Sequence, residues 1–152
     1  MAVGAGEAII RPATTADVPA LLRLYAQLGD PEAVPSLDHA RETFAAISVQ
    51  PGMHLLVAEA SGRAVGTATL VIVPNLTHFA KPWAQVENMV VEEELRGRGL
   101  GRALLDRCVE LATEAGCYKV QLQSANQRLD AHQFYERLGF QASSVGFRLY
   151  LD

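Results

Sequence analysis

One short stretch of this sequence has the composition of a phosphate site: Arg96-Gly97-Arg98-Gly99-Leu100-Gly101-Arg102. It follows the apolar run Met89-Val90-Val91 and precedes a strongly periodic helical pattern, so it marks a strand-to-helix junction. Glycines at such a junction let the backbone approach a ligand and leave the first amide N–H groups of the helix unblocked. Those donors and the helix dipole together make an anion site. Three arginines within this stretch add charge, and a guanidinium can take two phosphate oxygens at once. The spacing excludes two common nucleotide motifs. A dinucleotide fingerprint counted from Gly97 and Gly99 needs Gly or Ala where Arg102 stands, and no lysine follows these glycines as a P-loop requires.

Periodicity locates the elements that must carry this turn. Residues 8–11 read as a short strand. Thr14-Thr15-Ala16-Asp17 is a helix-start signal, and Val18, Leu21, Leu22, Tyr25 and Leu28 recur behind it at helical spacing until Gly29-Asp30-Pro31. A second helix starts at Ser36, with Leu37, Ala40, Phe44 and Ile47 on one face. Residues 54–59 and 64–73 read as a hairpin about Ser61-Gly62, and 74–82 as a loop. In the strand 84–91, Glu87, Met89 and Val91 share one face and Val86, Asn88 and Val90 the other, which predicts an interior strand covered on both sides. The helix 99–115 carries Leu100, Leu104, Cys108, Leu111 and Ala112 in one stripe. A strand at 119–123, a helix at 129–138 and a closing hairpin from 141–144 and 147–151 complete the chain. The strand–helix–strand core from 84 to 123 should be parallel with a right-handed crossover, which makes the fold class mixed α/β.

Bulk properties narrow the function. The chain has 152 residues, 49% hydrophobic and 20% charged, and reads as a single domain over 1–152. No apolar run approaches the roughly 20 residues of a membrane span, and the first residues lack a secretion signal, so a cytoplasmic protein without a membrane partner is expected. A net charge of −4 argues against a nucleic-acid partner. Cys108 and Cys117 are too few for a disulfide framework or a zinc site, so they read as small buried hydrophobes and no metal is expected.

Arg96-Gly97-Arg98-Gly99-Leu100-Gly101 fits the pattern [QR]-x-x-G-x-[GA], and further on Phe134-Tyr135 and Gly139-Phe140 fit F-Y-x-x-x-G-F. Together they resemble the two motifs of the GCN5-related N-acetyltransferase (GNAT) superfamily, in the right order and over most of the chain. The resemblance implies a central, mostly antiparallel sheet with a parallel, splayed strand pair, flanked by helices. It also implies acetyl-CoA as co-substrate. Met89, Val90 and Val91 would bond the pantetheine arm through their backbone, and backbone N–H groups from Arg98 to Arg102 would hold the pyrophosphate. Asn126 would bond the pantetheine from the opposite wall, and Tyr135 would place its hydroxyl near the thioester sulfur. A phenol can protonate a departing thiolate without being ionised itself at neutral pH, and core packing beside Phe134 is the alternative role for Tyr135. The attacking amine must lose a proton, and Glu87, a carboxylate in an apolar strand, is the candidate base if burial raises its pKa; a Glu87 solvated near a sheet end, one that binds substrate without taking a proton, and a water relay are the alternatives. Glu92, Glu93 and Glu94 read as a solvated loop.

The acceptor side is thinner. Asn75 and His78 in the loop before the central strand could line an acceptor pocket with Trp83, while His132 reads as a surface residue. Gly116-Cys117-Tyr118-Lys119-Val120 is similar to a stretch of glucosamine-phosphate N-acetyltransferases, although the Asn126-to-Tyr135 spacing is longer than in that group. Ser124 to Arg128 with Ala131-His132 looks more like small bacterial GNAT proteins. The resulting expectation is acetyl transfer to a primary amine of a small molecule. A non-catalytic acyl-CoA-binding module and a protein lysine or N-terminal acetyltransferase are the alternatives. A homodimer is common in the superfamily, but no interface patch can be read from the sequence.

Overall fold

The structure, a computed structural model, describes residues 7–151. In chain order the elements are β1 (Ile9–Pro12), α1 (Val18–Tyr25), α2 (Leu37–Val49), β2 (Met53–Ala60), β3 (Arg63–Val73), α3 (Thr77–Ala80), a single turn of mostly left-handed backbone, β4 (Trp83–Val91), α4 (Leu100–Glu114), β5 (Val120–Leu122) and α5 (Leu129–Arg137). The five strands lie side by side in chain order, and β1 through β4 are antiparallel to their neighbours. At the head of β4, Tyr118 N donates to Pro82 O and Ala84 N to Lys119 O, both at 3.0 Å. The two bonds advance in the same direction along both chains, so β4 and β5 are the parallel pair. The chain divides into two compact units, Met1–Gln121 and Leu122–Asp152. Among the described residues, no helix is long and apolar enough to cross a membrane.

Polar side chains fix the entry to the first unit. Thr14 and Asp17 form a capping box ahead of α1. Arg11 grips both oxygens of Asp17, at 2.7 and 2.9 Å, and donates from Nε to Glu59 at 2.6 Å, which ties β1 to β2 and to the start of α1. The Arg11 guanidinium holds the buried Asp17 carboxyl below the usual carboxylate range. A depressed carboxyl contributes stability above its unfolded pKa and loses it as pH falls through the folded value. Asp17→Asn should therefore cost about 2 kcal/mol at pH 7. Urea unfolding at pH 7 and at pH 2 checks this, since the gap between variant and wild type should close in acid.

Most of the helical stripes are where the pattern places them, although Leu37 at the head of α2 is exposed and Leu24, outside the predicted stripe of α1, is fully buried. Val18, Leu21 and Leu24 of α1 and Ala40 and Phe44 of α2 are buried, as are Leu100, Leu104, Leu105, Cys108 and Ala112 of α4. Each fully buried leucine is worth about 1.5–3 kcal/mol. At Gly66 on β3 a Cβ would lie 3.2 Å from Leu104 Cδ1 and 3.3 Å from Val90 O, so the missing side chain lets α4 sit close to the sheet. Two expectations fail. α1 ends at Tyr25, and Leu28 lies beyond it, partly exposed. Residues 141–151 form no strand, against the predicted closing hairpin. Only Val145 and Gly146 separate the two halves. A tight hairpin turn needs positive φ at its first central residue, which a β-branched valine resists, and Gly146 also stays outside the left-handed region.

Candidate active site

β4 delivers the chain to the glycine turn, and its exit is clamped. Glu92, expected to be solvated, is only 8% exposed. It accepts two bonds from Arg63, at 2.7 and 2.9 Å, and one from Arg23 at 3.0 Å, while its own N–H donates to Val65 O. Removing water from this carboxylate is offset by that pairing. Glu93 and Glu94 are exposed, as read from the sequence. Beyond them Arg96 Nε donates to Val91 O at 3.2 Å, and Gly97 and Gly99 adopt left-handed backbone with φ of 76° and 85°. Gly99 is the N-cap of α4 and brings no side chain to it. The first backbone bond of that helix runs from Ala103 N to Gly99 O, so the N–H groups of Leu100, Gly101 and Arg102 have no partner within the helix. The first turn holds no acidic residue, and buried Leu100 anchors it. Arg102 is exposed and pairs loosely with Asp106 at 3.6 Å.

Halfway along β4 the strand bulges. Thr67 faces Val90 and Thr69 faces Glu87, so Asn88 and Met89 together oppose the single residue Ala68. Asn88 takes the extra turn with φ of 51°, a conformation asparagine tolerates better than most residues. The bulge breaks the period-two alternation and leaves Glu87 and Asn88 exposed, so this face of β4 is not covered as expected. Glu87 is thus an exposed carboxylate and lacks the desolvation foreseen for it. It ends a line of side chains, with Gln121 donating to Gln85 at 2.9 Å and Gln85 donating to Glu87. Trp83 precedes them on the same face, half-buried.

The loop before β4 is held by Asn75, whose Nδ2 donates to Thr77 O, Thr77 Oγ1 and Lys81 O. His78 stacks on Tyr118 with ring centroids 3.8 Å apart and 7° between planes. Asn75 therefore spends its amide on the loop, whereas His78 stands at the surface.

The second unit supplies its own groups. Asn126 lies exposed in the turn after β5. Two residues earlier, Ser124 Oγ is buried without a hydrogen-bond partner, a feature the sequence reading missed. His132 is tied to Ala125 O at 2.9 Å through Nε2. Tyr135 on α5 is half-buried, edge-on to Phe134 at 5.3 Å and to Phe140 at 6.1 Å. Burial pushes its phenol above the ordinary tyrosine value, and Arg128 pulls the other way. Cys108 is buried, which raises its thiol to about 12 and leaves it unreactive. Neither cysteine is in a disulfide.

From residue 13 to residue 140 the chain matches the acetyltransferase (GNAT) family. It belongs to that family. Among its relatives, the aminoalkylphosphonate N-acetyltransferase of Salmonella typhimurium is 33% identical over 140 residues, covering 91% of this chain and 88% of that protein. The glucosamine 6-phosphate N-acetyltransferase of Trypanosoma brucei brucei is 42% identical over 89 residues, which are 59% of this chain and only 58% of that relative's length. The crystal structure of a Trypanosoma brucei acetyltransferase superimposes with a TM-score of 0.83 at 33% identity, covering 95% of this chain and 99% of the other. This GNAT protein is an acetyl-CoA-dependent N-acetyltransferase.

The acetyltransferase carries groups that suit coenzyme A. A pyrophosphate needs several N–H donors and tolerates no carboxylate beside it, and the uncapped start of α4 meets both conditions.

Proposed function

We propose that this acetyltransferase moves acetyl from acetyl-CoA to a primary amine of a small molecule by direct attack in a ternary complex. The observation that carries this reading is the three N–H groups behind left-handed Gly99 that have no partner within the helix, at the head of a helix with no acidic first turn. Leu100, Gly101 and Arg102 would hold the pyrophosphate through those N–H groups, with Arg96, Gly97 and Arg98 around it. Met89, Val90 and Val91 would bond the pantetheine through the backbone, and Ser124 and Asn126 through side chains. Acetyl-CoA, when bound, supplies an acyl group activated as a thioester. Glu87 takes a proton from the amine, directly or through water, as the new N–C bond forms. Tyr135 gives a proton to the sulfur as the C–S bond breaks. Trp83 and His78 would meet the acceptor, and Asn75 would shape their loop. The two relatives with named acceptors support a small-molecule substrate, and each of those acceptors joins an amine to a phosphorus oxyanion.

The test is release of free thiol from acetyl-CoA across a panel of small amines, with a basic peptide as competitor. Turnover on small amines is expected. Tight acetyl-CoA binding with no turnover would instead make the chain a non-catalytic binding module, and preference for the peptide would make it a protein acetyltransferase.

A homodimer completes the reading. Val145, Phe147, Leu149, Tyr150 and Leu151 are 76% to 93% exposed and concentrate apolar surface in one short segment. Large aromatics expose roughly 150–250 Å² each, so two copies of this tail reach on the order of the 1,200 Å² of a stable interface. Phe147→Asp with Leu149→Asp should convert a dimer to a monomer in light scattering. A wild-type monomer at 100 μM would end this part of the reading.

A further inference from the structure

We propose that Lys81 and Lys119, with His78 beside them, form an anion subsite for the acceptor, which is therefore a small primary amine bearing a phosphoryl or phosphonyl group. The inference rests on transfer to a small-molecule amine, as proposed above, and adds the acceptor's second recognition element. These are the only two lysines among the 13 basic residues of the chain. The hydrogen bonds at the head of the parallel pair bring them to one place, because Tyr118 N binds Pro82 O and Ala84 N binds Lys119 O. Both are exposed, and among the described residues neither forms an ion pair. Six of the eleven arginines, Arg11, Arg23, Arg41, Arg63, Arg102 and Arg107, are by contrast paired with carboxylates. In a chain of net charge −4, two exposed lysines whose backbones meet at the head of one strand pair, without an ion pair among the described residues, offer positive charge to an anion. Lysine, a mobile point charge with three donors, suits a tetrahedral oxyanion whose position varies with the acceptor.

Backbone strain marks the same corner. His78, Phe79 and Ala80 are consecutive left-handed residues, with φ of 51°, 59° and 57°. Such residues are disfavoured, and burial does not compensate, because Leu76 is 95% and Phe79 99% exposed. What the strained turn achieves is a fixed His78 ring on Tyr118, with Lys119 Nζ 5.5 Å from the same tyrosine centroid. The Asn75 hydrogen bonds and the His78–Tyr118 stack hold this strained turn, so the ring stands fixed beside the lysines. The corner also connects to the proposed chemistry. Lys119 and Gln121 share a face by period two, and Gln121, Gln85 and Glu87 form the hydrogen-bonded line described above. Ala84, level with Lys119, is three residues from Glu87, about 10 Å along the strand. An amine at Glu87 and an oxyanion reached by the lysines would span a molecule of a few bonds.

The experiment compares 2-aminoethyl phosphate with ethanolamine, and glucosamine 6-phosphate with glucosamine, in steady-state kinetics. The wild type should prefer the phosphorylated member of at least one pair by about ten-fold or more in kcat/KM, as charge-assisted hydrogen bonds allow. In the double variant Lys81→Gln, Lys119→Gln the preference should fall to near unity through KM. Calorimetry with 2-aminoethyl phosphate on the CoA-loaded protein gives a readout independent of turnover, and binding should be lost in the double variant. Turnover without phosphate preference, binding retained by the double variant, or a rise confined to the KM of acetyl-CoA would each overturn the subsite. Absence of turnover on every amine, with 2-aminoethyl phosphate still bound through the lysines, would overturn the transferase reading and leave the subsite standing.

Discussion

Gly99→Glu should weaken acetyl-CoA binding by about 100-fold while leaving the protein folded. Gly99 sits at φ 85°, where any side chain costs about 1–2 kcal/mol, so Gly99→Ala is the control for strain alone. A glutamate adds only one further effect, a carboxylate in front of the N–H groups of Leu100, Gly101 and Arg102. A negative charge at a helix N-terminus favours the helix, so the stability of the two variants should be similar. Against a bound pyrophosphate the same charge is repulsive. Two like charges 4 Å apart near a protein surface cost about 4 kcal/mol, and part of that is screened. Since about 1.4 kcal/mol is ten-fold, a loss near 100-fold follows. Titration calorimetry with acetyl-CoA on wild type and both variants measures it. If Gly99→Glu bound like Gly99→Ala, the pyrophosphate would lie elsewhere.

That prediction uses a feature the sequence displays fully, because a glycine turn and the helix after it are contiguous. The same holds for the stripe of Leu100, Leu104 and Cys108, whose burial follows from helical period alone. What the sequence hides is long-range or irregular. Glu92 looks like one of three loop carboxylates until Arg23 and Arg63, 69 and 29 residues away, close on it. An odd carboxylate directly after an apolar strand was the one available signal. The bulge at Asn88 is invisible to a period-two reading, because one inserted residue changes the faces without changing composition. It exposes Glu87, so the carboxylate expected to be buried stands in water beside Gln85. The left-handed turn at His78 is hidden for a related reason. His, Phe and Ala carry no turn signal, and only the tertiary contact with Tyr118 reveals what holds them.

Tyr135→Phe separates chemistry from binding, and kcat should fall by about 100-fold or more, the usual contribution of a positioned proton donor. The substitution keeps the ring between Phe134 and Phe140 and removes only the hydroxyl, so stability and the KM of acetyl-CoA should change little. The pH profile gives a second, independent readout. Burial raises the phenol above its ordinary value of 10.0, so the donor is fully protonated through neutral pH. The active form is the protonated one, so the wild-type rate should hold through mildly alkaline pH and fall as pH rises through the raised value. In Tyr135→Phe that alkaline limb should disappear, since the group responsible is absent. A packing role predicts otherwise: little change in kcat, and an alkaline limb identical in both proteins. Rates from pH 7 to pH 11, in the range where both proteins remain folded by circular dichroism, decide between a proton donor and a core aromatic.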